Sequence, residues 1–272
     1  MVAESVGELD LATEKGLQCV EIRADLLLDQ GLSEADIFAL IKAGKQQGLA
    51  VLYTLRHPTH GGTFQGTESE RVRLSLEAVQ VGADLFDLEF GSEAISLLPE
   101  DTAPGILSYH DFKGMPTAVE LQQLTEKMER TGTRAIKVVP TASRLEDALT
   151  MLKWVGQQNN DISRIGFAMG EAGACSRILT TLLGGEVTYA SFGAPVAPGQ
   201  IDIDEMLTQY RIGKDSHNNS VTAVCIDGDA GLGKVQQLNS DSGTNVAVAF
   251  PASAKEVLED CAQWMKITDI VS

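Results

Sequence analysis

Short runs rich in Val, Ile, Leu and Phe alternate along most of the chain with longer amphipathic segments, the pattern of βα units feeding a parallel sheet. The runs QCVEIRAD, AVLYTLR, LFDLEF, GILSY, RAIKVV, RIGFAM and VTYAS predict seven strands. Between them the apolar spacing predicts helices over 33–47, 68–81, 117–130, 143–157 and 174–183, with start signals such as Ser33 followed by Asp36 and Thr117 followed by Glu120. This alternation points to an α/β fold of the (βα)8 TIM-barrel class, although the pattern alone leaves a doubly wound sheet open. The segment 6–15 already reads as the helix that follows strand one. Only Met1, Val2 and Ala3 remain for that strand, so it reads as truncated.

After a predicted helix around 203–210, the polar stretch KDSHNNS (214–220) reads as a linker. It separates a barrel over 1–213 from a small α/β extension over 221–272. In the extension, VTAVCID and NVAVAF read as strands and 253–266 as a helix. The segment GDAGLGKV, Gly228 to Val235, has the spacing of a phosphate-binding loop, but Val235 stands where a magnesium-binding hydroxyl is needed. It is read as a Gly-rich turn between strands, with no helix starting there.

Composition narrows the function classes. The chain of 272 residues is 43% hydrophobic and carries a net charge of −17, which repels a phosphate backbone or an anionic membrane surface. No apolar stretch reaches the roughly 18 residues of a membrane span, and the N-terminus lacks a basic-then-apolar signal. The expectation is a cytoplasmic protein with no nucleic-acid and no membrane partner. Cys19, Cys175, Cys225 and Cys261 lie far apart without zinc spacing, so they read as reduced core-filling residues, and no metal site is expected.

Candidate chemistry collects near the predicted strand ends. Lys137 sits in the otherwise apolar RAIKVV, on one face with Ala135 and Val139. Desolvation there would lower the amine toward the range where it can attack a carbonyl, whereas a solvent-exposed lysine late in a strand is the plainer alternative. Glu21, Arg23 and Asp25 alternate in VEIRAD and are expected on one face of one strand, either in a polar pocket or at a wet edge. Arg56 ends AVLYTLR, Glu89 lies in FDLEF, and His110 directly follows GILSY, where a loop would present it for acid–base work. Arg177 and the loop VAPGQ with Gln200 complete the ring.

These residues resemble type I 3-dehydroquinate dehydratases over roughly residues 4–211. The resemblance rests on VEIRAD, TLR followed by GlyGly, DLEF, SYHDF, IKVV, AMG, SR and APGQ in the family's order. It implies a (βα)8 barrel that removes water from 3-dehydroquinate to give 3-dehydroshikimate without a cofactor, with that small molecule as partner and a homodimer left open. It further implies Lys137 as the Schiff-base lysine, His110 as the proton-transfer group and Arg177 as the clamp on the substrate carboxylate. Glu21, Arg23, Arg56 and Gln200 match positions that hold substrate hydroxyls or order the pocket, with Glu89, His60 and Met169 in support.

The chain departs from the family's pattern at His60, where an acidic residue is usual, at Val196, where a loop serine is usual, and at the first strand. These departures keep open a catalytically silent barrel acting as a binding module. Another Schiff-base lyase of the class I aldolase kind would share Lys137, but the acidic IDIDEM disfavours its phosphate site. VTAVCIDGD, then NVAVAF and a helix, faintly resembles the opening of a shikimate dehydrogenase, here a remnant without its dinucleotide-binding loop.

Overall fold

The structure, a computed structural model, describes residues 3–157, 162–193, 199–213, 219–226, 230–240 and 245–271. Six strands line up in chain order in one sheet: β1 (Cys19–Arg23), β2 (Ala50–Thr54), β3 (Leu85–Glu89), β4 (Ile106–Asp111), β5 (Ala135–Pro140) and β6 (Ser163–Gly166). The first three pairings are parallel. Strictly sequential order without a reversal is what βα-barrel winding produces, so the doubly wound alternative falls away. The helices are α1 (Val6–Glu14), α2 (Ala24–Asp29), α3 (Glu34–Gln46), α4 (Glu68–Val81), α5 (Ala94–Leu97), α6 (Ala118–Glu129), α7 (Leu145–Gly156) and α8 (Ala174–Leu182). Ser33 with Asp36 and Thr117 with Glu120 form capping boxes at the predicted helix starts, as do Ser5 with Glu8 and Thr67 with Glu70.

The chain forms two compact units, one of Met1–Asp111, Pro116–Val139 and Asn159–Arg164, the other of Phe112–Met115, Pro140–Gln158 and Ile165–Ser272. In the first, strand periodicity sorts the side chains. Val20 and Ile22, Val51 and Tyr53, Phe86 and Leu88, and Ile136 and Val138 are buried on one set of alternate positions. The opposite set holds Glu21, Thr54, Asp87, Glu89, Ser108 and Lys137, also buried. Parallel register keeps the two sets apart, because Ile22 pairs with Tyr53 while Thr54 pairs with Asp87 and Glu89 with Ser108.

Several expectations need correction. Asp25 is not on the strand: β1 ends at Arg23 and Asp25 lies in the first turn of α2, where it pairs with Arg23 at 2.7 Å. Glu21 and Asp25 are buried, so the wet-edge alternative fails. His110 lies within β4, which runs on to Asp111, and not in a loop. Among the described residues no strand precedes α1, yet Ala3 is buried and its N–H donates to the Glu21 carbonyl at 2.9 Å.

In the second unit, β7 (Ala190–Ser191) pairs in parallel with β8 (Ile201–Asp202), a strand the pattern did not predict, and the helix expected around 203–210 forms over 203–209, π-helical at Glu205–Gln209. The extension is β9 (Ser220–Ile226), α9 (Ala230–Ser240), β10 (Asn245–Pro251), α10 (Lys255–Cys261) and β11 (Ile267–Val271), with strand order β10-β9-β11, all parallel. Ser220 therefore belongs to β9 and not to the linker, whose residues 214–218 lie outside the described residues. The Gly-rich segment is corrected too: α9 starts at Ala230. A glycine costs a helix about 1 kcal/mol, and tertiary packing outweighs it. Val235 is buried, and Asn239 exchanges two hydrogen bonds with the backbone of Ala247 at 2.9 and 2.7 Å. The helix expected to end at 266 stops at Cys261, and β11 forms from residues assigned to no strand.

All four cysteines are free, but only Cys225 is buried and Cys19 is exposed, so the core-filling expectation holds for one of them. No helix among the described residues is long and apolar enough to cross a membrane.

Candidate active site

Lys137 projects from the centre of β5 and is 5% exposed. Its Nζ stands 4.0 Å from Asp87 Oδ2. Burial lowers the Lys137 ammonium from its ordinary value, opposed by Glu21 and Asp87 and reinforced by Arg56 and Arg23. Burial alone would raise the Glu21 carboxyl, but Lys137, Arg23, Arg56 and a 2.7 Å hydrogen bond from Thr54 hold it below the usual range.

Arg56 lies two residues beyond β2 and is buried. Its Nη1 reaches Asp87 at 2.8 Å, Glu89 at 3.2 Å and the Ser108 hydroxyl at 2.7 Å. Despite burial, those two carboxylates raise its pKa. Glu89 is bound from its other side by Arg71, which also pairs with Glu68 at 2.7 Å. Burial pushes the Glu89 carboxyl up, yet Arg56, Arg71 and the His57 N–H pull it down to about 2.

The loop after Arg56 returns on itself. A Cβ at Gly62 would sit 2.0 Å from the Arg56 carbonyl oxygen, so only glycine allows this approach. Thr63 then anchors the loop through its N–H to the Asp25 carboxylate and its hydroxyl to the Asp25 carbonyl. The loop sets His60 edge-on to His110, with ring centroids 6.1 Å apart. Burial first, then Arg56, Lys137 and His60, hold His110 well below 6.5. His60 is lowered by burial, with Glu89 opposing and Arg56 assisting. His60 thus helps to lower His110, behind burial, Arg56 and Lys137, while His110 is not among the groups that lower His60.

The first unit thus brings together Lys137, His110, Glu21, Arg23, Arg56, Glu89 and His60. Asp87, Ser108 and Arg71 join them without having been singled out from the sequence. Asp87 was detectable in LFDLEF, where it stands two positions from Glu89 and so on the same strand face. Arg23 pairs with Asp25, Arg56 with Asp87 and Glu89, and Arg71 with Glu89 and Glu68, while Lys137 faces Asp87.

The second unit holds Met169, Arg177 and Gln200. Met169 is buried and bridges to Thr141, its N–H donating to the Pro140 carbonyl at 2.7 Å. Gly170, next to it, meets the turn at Gly199, whose φ of +73° favours glycine and where a Cβ would sit 2.9 Å from the Gly170 oxygen; Gln200 follows. Val196 lies outside the described residues. Arg177 is buried in α8 with its guanidinium 4.5 Å above the Phe167 ring, and burial draws its pKa down to about 10.

The family model described as type I 3-dehydroquinase matches residues 1–217. A 3-dehydroquinate dehydratase of Methanothermobacter thermautotrophicus is 34% identical over 215 residues, covering 78% of this chain and 90% of that protein. The crystal structure of 3-dehydroquinate dehydratase from Geobacillus kaustophilus is 28% identical with a TM-score of 0.65, covering 76% of this chain and 86% of its own. The S. pombe structure of a dehydroquinate dehydratase and shikimate dehydrogenase covers all of this chain and 56% of its own, at a TM-score of 0.62. With 21% identity, that last likeness speaks for the fold alone.

Proposed function

The chain belongs to the type I 3-dehydroquinase family, and from that premise we propose that it dehydrates 3-dehydroquinate to 3-dehydroshikimate through a Schiff base on Lys137. The observation that carries this reading is a lysine buried in a strand, its ammonium destabilised by burial yet faced by carboxylates. A neutral amine attacks the substrate ketone, and the proton that the Lys137 ammonium gave up returns to the carbinolamine hydroxyl, which leaves as water as the iminium forms. Protonated, the Lys137 nitrogen is a cation facing the buried carboxylates of Glu21 and Asp87. Condensation therefore restores the charge that deprotonation removed, and Asp87 and Glu21 favour the iminium over the free amine.

The iminium draws electrons from the adjacent carbon and acidifies its C–H. His110, kept neutral by burial and by the surrounding cations, is ready to accept that proton. The electron pair passes into the enamine and returns to expel the hydroxyl, which takes the proton from His110 and leaves as water. Hydrolysis of the conjugated iminium releases product and regenerates the amine. Arg177 clamps the substrate carboxylate with a planar fork. Arg23, Arg56 and Gln200 hold hydroxyls or order the pocket, Glu89 and Met169 support them, and His60 sits against His110.

Reduction by borohydride in the presence of 3-dehydroquinate should leave a stable adduct on Lys137. Substitution Lys137→Ala should abolish the adduct and lower kcat by at least about a thousandfold. Full dehydration by that variant would sink the mechanism. No adduct at millimolar substrate would favour the silent binding module, for which His60 and Val196 are the motivating positions.

The boundaries that fit this reading are a catalytic segment over 1–213, a linker at 214–219 and an extension that begins with β9 at Ser220. The family model ends at 217, which supports them. The extension's faint resemblance to the opening of a shikimate dehydrogenase rests on its sequence alone, because the family model ends at residue 217. The extension should show no shikimate-dependent reduction of a nicotinamide cofactor. The net charge of −17, which repels phosphate backbones and anionic surfaces, supports a small-molecule partner without nucleic acid or membrane.

A further inference from the structure

The extension takes no part in the chemistry above, yet it reaches the helix that carries Arg177. Lys266 stands between α10 and β11 with φ +55°, a left-handed conformation unusual for a lysine. Its carbonyl accepts from the Val221 N–H at 2.9 Å, which locks it to β9. Its Nζ donates to the carbonyl of Leu182 at 2.8 Å, at the last residue of α8. The final carbonyls of a helix are its negative end and lack partners within the helix. α8 has no basic residue in its own last turn, so this cation arrives from 84 residues away.

The other end of α8 is held separately. The Ser176 hydroxyl donates to the Gly173 carbonyl at 2.6 Å and accepts from the Ala168 N–H at 2.8 Å. Thr188 donates to the carbonyl of Arg177 itself at 2.6 Å. Every residue from Ser176 to Leu182 is buried, so a nine-residue rod is fastened at both ends with little room to bend. Arg177 lies on this rod, so its placement depends on how the rod is held at both ends.

We propose that Lys266 is a positioning residue for substrate binding: by capping α8 from the extension, it sets the placement of Arg177 and so the affinity for the substrate carboxylate. The proposal rests on the reading of Arg177 as the carboxylate clamp. It gives the extension a function within the dehydratase reaction, one that needs no redox chemistry.

The test is steady-state kinetics on the full chain with Lys266→Met, which keeps most of the aliphatic stem and removes the charge and the donor, and Lys266→Arg, which keeps both. Lys266→Met should raise KM for 3-dehydroquinate roughly three- to tenfold, with kcat per trapped active site within about twofold, and Lys266→Arg should restore most of the loss. Partial unfolding lowers the number of borohydride-trapped sites and leaves KM alone, so a merely structural role is told apart. In an Arg177→Lys background, Lys266→Met should change KM far less than in the native chain. An unchanged KM in Lys266→Met, or an equal rise in both backgrounds, overturns the proposal while the clamp stands. An Arg177→Lys chain with native KM brings down the clamp reading itself, and this proposal with it.

Discussion

The sheet of β1–β5 and the sheet of β9–β11 are both parallel, and they are filled differently. On β9 and β10, Val221, Ala223, Val224, Val246, Ala247, Val248 and Phe250 are all buried, the near-continuous apolar run that a parallel strand covered on both faces requires. On β1, β3 and β5, alternate positions break that run with Glu21, Asp87, Glu89 and Lys137, equally buried. Burying a charge costs several kcal/mol unless partners compensate, so a strand that serves packing alone has no use for one. The contrast separates a sheet built around a buried network of charges from one filled by apolar side chains.

The contrast can be broken most sharply at Asp87. Substitution Asp87→Ala leaves Arg56 and Lys137 short of a buried counter-charge and should destabilise the chain by about 3–5 kcal/mol in urea unfolding. A loss below about 1 kcal/mol would mean that the network is solvated and not a true counterpart to the apolar sheet.

Acid should find the same sheet first. The Glu89 carboxyl, at about 2 in the fold against an ordinary 4.5, contributes stability that is complete above pH 4.5 and is lost as the pH falls toward 2. That contribution is roughly 3 kcal/mol. His110, lowered in the fold, adds a loss that begins as the pH falls through 6.5, where the unfolded chain binds the proton and the folded chain does not. Unfolding free energies at pH 7, 5 and 3 should therefore decline for the native chain, and less steeply for Glu89→Gln over the acid interval.

The smallest of these effects belongs to the extension. Asn239→Ala removes both side-chain bonds to the Ala247 backbone and should cost about 1–3 kcal/mol. Hydrogen exchange should show that loss at β10, with the amides of β1–β5 unaffected.

Much of the first unit was legible because its signals are local. Capping pairs such as Ser33 with Asp36 and the length of each apolar run are properties of a few adjacent residues. Lys137 was visible as a lone cation among Ile136, Val138 and Val139. Its neighbours were harder to see. Asp87 and Ser108 look like ordinary polar residues until parallel register sets β3 and β4 against the Arg56 guanidinium, and Arg71 reads as a surface helix residue until α4 is packed. The misassignment of Asp25 shows the limit of alternation, since Glu21, Arg23 and Asp25 keep a period of two while the backbone changes from strand to helix at Ala24.

The sequence by itself determined the succession of strands and helices, the polar positions of β1–β5 and the order of the family's motifs, because periodicity and capping act within a few residues. Tertiary structure alone decided which charges became partners, that a Gly-bearing segment became α9, and that Lys266 met the end of α8. Those outcomes depend on burial and on approaches between residues far apart in the chain, where desolvation and a single hydrogen bond outweigh local propensity.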